Sequence, residues 1–142
     1  EFCWLAEPWD KTYLGFADQA LTGRLQPFMM ARCLDARLAL AKLPVAESMS
    51  SGSVVVLLTD KMIERNNHLL QLRTSPGKLE AVSTLEQEEV TMDMGAFTQL
   101  YFGAFSASEL WEAGHIKCSD VRKLQLLDEL FPKCRTYNNE YF

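Results

Sequence analysis

Few side chains in this sequence have the chemistry of a catalytic or metal-binding group. The two histidines, His68 and His115, do not lie at zinc-ligand spacing from any cysteine. His115 directly follows Gly114, just past the end of a predicted helix, and we expect it to cap that helix rather than to catalyse. His68 begins a predicted strand, and we expect no catalytic role for it either.

Carboxylates gather at Glu86, Glu88 and Glu89. We interpret this cluster as a solvent-facing loop, with the attraction of a cationic ligand as the alternative. Asp128 and Glu129 fall on the polar side of the last predicted helix, and we expect both to be solvated.

The four cysteines are Cys3, Cys33, Cys118 and Cys134, and none forms a C-x-x-C pair. This usage is typical of reduced thiols in a cytoplasmic protein. A helix between Cys118 and Cys134 can bring both to one end of the domain, so a disulfide between these two remains an alternative.

Known cofactor and nucleophile motifs are absent from the sequence. It contains no G-x-G-x-x-G, G-x-x-x-x-G-K, G-x-S-x-G or H-E-x-x-H. No Gly-rich turn leads from a strand into a helix to hold a pyrophosphate, so we expect this chain to bind neither CoA nor a metal by itself.

The composition limits the kinds of binding partner expected for this chain. The 142 residues carry a net charge of −5, which argues against nucleic acid or an anionic membrane as partner. No apolar run approaches the roughly 18 residues of a membrane span. The sequence starts at Glu1 with neither an initiator Met nor a signal peptide, and we interpret it as a fragment or a processed product.

The stretch over 88–131 must position whatever site exists, because it reads as one strand followed by three capped helices. The cap candidates, in chain order, are Asp93, the S-x-x-E capping box of Ser106 and Glu109, and Ser119 or Asp120. Gly103, Gly114 and Pro132 can end the three helices. The last helix repeats apolar residues at helical spacing, so one of its faces must be buried.

Upstream of that stretch the sequence predicts more strands than helices. The predicted strands cover 27–34, 53–59, 68–74, 78–83 and 88–92, and Asp35 caps a helix that Pro44 ends. This order predicts an α+β domain with a mostly antiparallel five-stranded sheet and its helices packed on one face.

Aromatic residues crowd the first two of the later helices. They are Phe97, Tyr101, Phe102, Phe105 and Trp111, with Met92 and Met94 beside them. Core packing is the ordinary explanation, and a cavity for an apolar ligand is the alternative.

Several motifs together resemble the C-terminal domain of Eis-type acetyltransferases of the GNAT superfamily. They are Met29-Met30-Ala-Arg32-x-x-Asp35, Leu58-x-Asp60 with Asn66-Asn67, the block from Asp93 through Phe102-Gly103 to Ile116, and Leu127-Asp128-x-Leu130-Phe131-Pro132, with an aromatic end at Tyr141-Phe142. The resemblance covers about 25–142. It implies a sterol-carrier-protein-like domain over 25–142, with 1–24 as the tail of a preceding lobe and its connection.

The resemblance also implies a function. Parent enzymes of this family transfer acetyl from acetyl-CoA to amines, in some members aminoglycosides, and the GNAT lobes of the same chain and a homo-oligomer would be the partners. In Eis-like enzymes the chain ends on Phe, whose terminal carboxylate serves the active site as a base. Phe142 matches that position.

These inferences favour a non-catalytic accessory domain that braces the GNAT lobes and supplies the Phe142 carboxylate, and that is not an enzyme by itself. A lipid or sterol carrier with an apolar cavity is the alternative. A stand-alone interaction module is a third interpretation.

Overall fold

The computed structural model describes residues 30–134. Its elements, in chain order, are α1 (Ala36–Ala41), β1 (Gly52–Thr59), a 3-10 turn (Glu64–Asn66), β2 (His68–Ser75), β3 (Lys78–Ser83), β4 (Val90–Asp93), α2 (Met94–Tyr101), α3 (Ala107–Glu112), β5 (Ile116–Cys118) and α4 (Val121–Leu130). Within the described range, no helix has the length and apolar character needed to cross a membrane.

The five strands form one sheet in the order β3-β2-β1-β4-β5. The pairs β1–β2, β2–β3 and β4–β5 are antiparallel, whereas β1 and β4 run parallel. The sheet is therefore mixed but mostly antiparallel, and the predicted α+β class with five strands is confirmed. Because β3 lies at one edge and β4 beyond β1, the connection between them must cross the sheet.

One face of the sheet carries the core. Val54, Val56 and Leu58 of β1 alternate toward this face, since side chains along a strand point to opposite sides in turn. The buried residues of all four helices join the same apolar cluster, among them Leu40, Phe97, Leu110 and Leu127. The helices thus pack on one face of the sheet, as predicted.

The helix starts follow the predicted caps. Asp93 accepts a hydrogen bond from the Ala96 N–H at 2.8 Å, and Ser106 and Glu109 form the reciprocal capping box. Asp120 rather than Ser119 caps α4. Gly103 follows α2 with a φ of +66°, and a Cβ there would lie 2.6 Å from the Cys134 sulfur, so this position suits glycine alone.

The strand predicted over 27–34 is wrong within 30–34, where the backbone forms no strand; 27–29 lie outside the described residues. The backbone groups here bond to side chains instead of a ladder. The Cys33 N–H donates to the Thr98 hydroxyl at 3.1 Å, and the Leu34 carbonyl accepts from the Asn66 amide at 3.2 Å. The strand was predicted because the segment is apolar at consecutive positions, a pattern that is also typical of a central strand.

The fifth strand is β5, which sequence reasoning missed. Its three residues pair with β4, with Ile116 opposite Met92. Such a short segment shows no period, and Gly114 just before it was interpreted only as a helix end.

Candidate functional site

The described fold buries one charged side chain, that of Asp60, which follows β1 and is 1% exposed. Its Oδ1 accepts from the Arg32 guanidinium at 2.5 Å and from the backbone N–H groups of Met62 and Ile63 at 2.8 and 3.2 Å. Its Oδ2 accepts from the Asn66 amide at 2.9 Å. Both oxygens are thus held by donors, two of them on Oδ1 from the backbone, which fixes the carboxylate in one orientation.

Asn66 and Asn67 extend this arrangement to the neighbouring chain segments. The Asn66 carbonyl oxygen accepts from the Ala36 N–H at the start of α1, at 3.4 Å, and its amide also donates to the Leu34 carbonyl. The Asn67 carbonyl oxygen accepts from the Asp60 N–H at 2.7 Å. We call Arg32, Asp60, Asn66 and Asn67 the Asp60 node. It joins the end of β1, the 3-10 turn and the segment that leads into α1.

The same donors lower the pKa of the Asp60 carboxyl from 3.8 to about 2, the Asn66 hydrogen bond being the largest cause. Burial opposes this effect, while the Met62 and Ile63 N–H groups and Arg32 add to it. A carboxylate that is ionised at neutral pH and saturated with donors is a poor general acid or base. The node is therefore an anchor for the chain.

The apolar interior between sheet and helices is filled. A cavity of about 10 Å³ remains there, lined by Leu40, Val56, Leu58, Leu70, Leu72, Met92, Phe97, Leu100, Leu127 and Phe131. A cavity of this size has room for about one water molecule. The Phe97 ring packs against Phe131, edge to face, with 6.2 Å between ring centroids.

The aromatic cluster predicted from the sequence divides in two. Phe97 is buried in the core, whereas Phe102, Phe105 and Trp111 are between 41% and 47% exposed. Core packing therefore explains Phe97, and the other three rings line no cavity in the described core.

The acidic cluster lies on the connection from β3 to β4. The Glu86 carboxylate accepts from the Gln71 amide at 3.3 Å, on the side of the sheet opposite the core. Glu89 accepts from the Val55 N–H at 2.9 Å and pairs with Lys123 at 2.9 Å. The prediction of a solvent-facing loop holds for Glu86 and Glu88, but Glu89 is half-buried and holds β1 and α4 together.

An open groove of about 520 Å³ runs along this connection. It is lined by Ser53, Val55, Glu86, Gln87, Glu88, Glu89, Ser119 and Lys123. Its one lysine is already paired with Glu89 and donates to the Ser53 carbonyl at 2.7 Å. The groove is therefore mostly polar, and the positive charge of its one lysine is already paired with a carboxylate.

The expectation that Asp128 and Glu129 are solvated is wrong for Asp128, which is half-buried, whereas Glu129 is exposed as expected and also makes one hydrogen bond to the chain. The Asp128 carboxylate accepts from the N–H of Ala107 and from the N–H and hydroxyl of Ser108, at the start of α3. Glu129 accepts from the Ser50 N–H at 2.6 Å. A polar helix side can face a neighbouring helix start as well as water, and helical periodicity does not distinguish the two.

The two histidines stay apart from any polar cluster of this kind. His115 is exposed, and its backbone N–H donates to the Leu110 carbonyl at 2.8 Å, which closes α3 as predicted. His68 is half-buried, and desolvation, followed by the nearby Arg37 charge, lowers its pKa. The nearby Asp35 carboxylate opposes this lowering of the His68 pKa.

The described cysteines are free. Cys33 is buried, and this burial raises the pKa of its thiol. Cys118 and Cys134 form no disulfide; the Cys118 thiol donates to the Asp120 carbonyl and the Cys134 thiol to the Phe102 carbonyl. Cys3 lies outside the described residues.

The helix starts of the described fold do not fit the pyrophosphate of acetyl-CoA. Each of the four helices has an acidic side chain or a capping box at its first turn: Asp35, Asp93, Ser106 with Glu109 and Asp128, and Asp120. These carboxylates take up the N–H groups that would bind phosphate and repel a second anion.

Phe142 lies outside the described residues, so its role stays a prediction. The last described residues run beside the loop after α2, where the Cys134 N–H donates to the Gly103 carbonyl at 3.0 Å.

Comparison with solved structures reveals the same fold in larger proteins. A GCN5-related N-acetyltransferase from Anabaena variabilis matches with a TM-score of 0.64 at 18% identity, over 70% of this chain and 25% of that one. A GCN5-related N-acetyltransferase from Kribbella flavida matches with a TM-score of 0.69 at 24% identity, over 78% and 29%. Eis1 from Mycobacterium abscessus matches with a TM-score of 0.55 at 22% identity, over 68% and 23%.

The TM-scores show a shared fold and, at these low identities, the fold alone; this chain spans about a quarter of the length of each of those proteins. No curated protein matches the sequence. The profile of the sterol carrier protein domain matches residues 36–139. That match covers most of the chain, with its described helices, its sheet and the larger part of the Asp60 node, so the chain belongs to the sterol carrier protein domain family.

Proposed function

We propose that this chain is a non-catalytic accessory domain of an acetyl-CoA-dependent N-acetyltransferase. One observation carries the proposal: about three quarters of this chain matches about one quarter of longer proteins named as N-acetyltransferases. The rest of each such protein would hold the catalytic lobes. This domain would brace those lobes and supply the carboxylate of Phe142.

The chemistry of the described residues supports an accessory role. Asp60 is held ionised by its donors, and the helix starts are blocked for phosphate by their own acidic side chains. An acetyl transfer needs a site for acetyl-CoA and a base for the amine, and both would come from outside residues 30–134.

The eight residues after Cys134 can carry Phe142 over a considerable distance. Fully extended, they span up to about 28 Å. The proposed base is the terminal α-carboxylate, which would accept a proton from the amine directly or through water. Its ordinary pKa is low, so a partly buried site would have to raise its basicity.

The experiment uses the parent enzyme and this chain in parallel, with acetyl-CoA and a panel of primary amines. We expect acetyl transfer by the parent and none by the 142-residue chain. Turnover by this chain alone would overturn the accessory role, and a parent without acetyl transfer would overturn the assignment to an acetyltransferase.

The role of the terminal carboxylate has a matched pair of variants. Phe142→Ala keeps the carboxylate in place, whereas a two-residue extension beyond Phe142 moves it. If the carboxylate is the base, the extension lowers kcat by on the order of 100-fold and Phe142→Ala changes it far less. Equal losses in both variants would assign the effect to the ring.

The geometry disfavours a lipid carrier. A bound sterol or fatty acid needs a pocket of several hundred Å³. The cavity inside the described core holds about 10 Å³. Titration with a fluorescent fatty acid tests this alternative, and saturable binding at one site per chain would revive it.

A further inference from the structure

We propose that residues 31–34 form a strap that opens as a unit while the sheet and the helices stay folded, with the Arg32–Asp60 pair as its catch. The strap consists of Ala31, Arg32, Cys33 and Leu34, and it leads directly into the Asp35 cap of α1. This inference concerns the described domain by itself and does not depend on the proposed function.

The strap is held by side chains and not by a strand ladder. Its backbone forms no strand, and the five-stranded sheet is complete without it. Its hydrogen bonds to other described residues all reach side chains outside the strap: Arg32 to Asp60, the Cys33 N–H to the Thr98 hydroxyl, and the Leu34 carbonyl from the Asn66 amide. The strap can therefore leave without breaking the backbone pairing of the sheet.

The strap also buries little apolar surface. Three of its four residues are exposed, and only Cys33 is buried, at 8% exposure. The helix that follows is attached differently, because Ala36 and Leu40 are 0% and 2% exposed and belong to the apolar cluster. Segments with few buried apolar contacts open at a lower free energy than the core does. Opening is thus expected to stop at Asp35, where α1 begins.

The side chains that hold the strap keep other partners when it leaves. Thr98 still donates to the Met94 carbonyl at 2.6 Å within α2. Asp60 keeps the Asn66 amide at 2.9 Å and two backbone N–H groups of the turn that follows it. Asn66 keeps Asp60 and the Ala36 N–H. Opening therefore leaves none of these three side chains without a hydrogen bond, which would be the main cost of breaking such contacts.

The Arg32 contact is the strongest of the three, because it joins a cation to a buried carboxylate. The Arg32 side chain is nevertheless 35% exposed, whereas that of Asp60 is 1% exposed. The guanidinium is thus in contact with solvent, and water can replace it when the strap opens. Arg32 also contributes less to the lowered pKa of Asp60 than the Asn66 amide and the backbone donors do. The carboxylate is held mainly from within the folded body, and Arg32 sets how often the strap opens.

An open strap lengthens the connection on the upstream side of the domain. Four residues released from their contacts span up to about 14 Å when extended. The helices and the sheet can then move as one body relative to the chain before Ala31, without any loss of their core. The closed strap keeps this connection short, so the segment acts as a joint with two lengths.

The buried Cys33 thiol reports the opening in the 142-residue chain. Iodoacetamide or a bulkier maleimide is added at increasing urea concentrations below the unfolding transition, and modification is read by peptide mass so that the other cysteines do not interfere. We expect the Cys33 thiol to be at least about a hundredfold less protected than the Val56 amide in hydrogen exchange, because only global unfolding frees a central strand. Its rate should rise little with urea, since the opening exposes little surface.

Two variants separate the strap from the core. Arg32→Ala should speed the modification of Cys33 by about tenfold, because it destabilises the closed strap alone, whereas Arg37→Ala, which removes an exposed arginine of α1, should not change this rate. Ile116→Val weakens the core, where Ile116 is 2% exposed, and should speed Val56 exchange several-fold. It should leave Cys33 unchanged, since the closed and open forms share that core.

Four results would overturn the proposal. Cys33 modification as slow and as dependent on urea as Val56 exchange means that the segment opens only with the whole domain. Equal acceleration of both by Ile116→Val means the same. A rate that falls with reagent size, after correction for reactivity with a free thiol, means that the reagent enters through the closed surface. An Arg32→Ala variant with the wild-type rate means that Arg32 is no catch.

Discussion

Two carboxylates hold β1 at different points and in very different surroundings. The Asp60 side chain, directly after the strand, is 1% exposed and accepts from a guanidinium, an amide and two backbone N–H groups. The Glu89 side chain, beside the middle of the strand, is 36% exposed and is shared between the Val55 N–H and Lys123.

This difference in burial indicates which of the two contacts contributes more to the stability of the fold. A buried carboxylate without its donors keeps the full cost of its lost hydration, whereas an exposed one regains water when a partner is removed. The Asp60 node should therefore stabilise the domain strongly, and the Glu89 contact weakly.

The largest effect is expected for Asp60→Ala. Removing the carboxylate leaves the buried Asn66 amide, the partly buried N–H groups of Met62 and Ile63 and the Arg32 guanidinium without their acceptor. The midpoint of thermal unfolding should fall by on the order of 10 °C, measured by circular dichroism or calorimetry. A drop as small as that of Glu89→Ala would remove the distinction between the two carboxylates that hold β1.

Asn66→Ala comes next. This side chain is 1% exposed and connects Asp60, Leu34 and Ala36. We expect a loss of about 2–3 kcal/mol in the free energy of unfolding, since two buried partners and one partly buried partner lose a hydrogen bond at once. Urea denaturation measures it, with the exposed Asn67→Ala as the milder comparison.

Much of the fold could be predicted from the sequence because its signals are local. Asp93 and the Ser106–Glu109 box marked helix starts, and β-branched residues after Gly52 marked β1. β5 and the parallel pairing of β1 with β4 depend on contacts between distant segments, which periodicity does not encode.

The candidate site was less predictable for the same reason. Asp60 with Asn66 and Asn67 entered the sequence interpretation as part of a family resemblance and not as a hydrogen-bonded cluster. The cluster that these residues form also needs Arg32, which is 28 residues away from Asp60 in the sequence. Asp128 likewise meets Ser108 across 20 residues, and nothing local distinguishes it from a solvated helix residue.

Acid should weaken the Asp60 contact. The folded pKa of Asp60 lies at about 2, below its ordinary 3.8, so its contribution is complete above that ordinary value and is lost as the pH falls from about 4 toward 2. Asp60→Asn should flatten the fall in stability over this window, measured by urea denaturation at each pH. The pKa values of Glu109 and Asp120 are also lowered, which leaves a residual slope in this variant.

The smallest effect is expected for Glu89→Gln. The amide keeps an acceptor for the Val55 N–H but loses the ion pair with Lys123, whose side chain is 25% exposed and which retains its hydrogen bond to the Ser53 carbonyl. A partly exposed pair of this kind contributes less than about 1 kcal/mol, and screening weakens it further in salt. Urea denaturation at low and high ionic strength measures both the contribution of the ion pair to stability and its weakening by salt. If Glu89→Gln instead cost as much as Asn66→Ala at either ionic strength, exposure would be a poor guide to what each carboxylate contributes, and the Asp60 node would lose its special place in the fold.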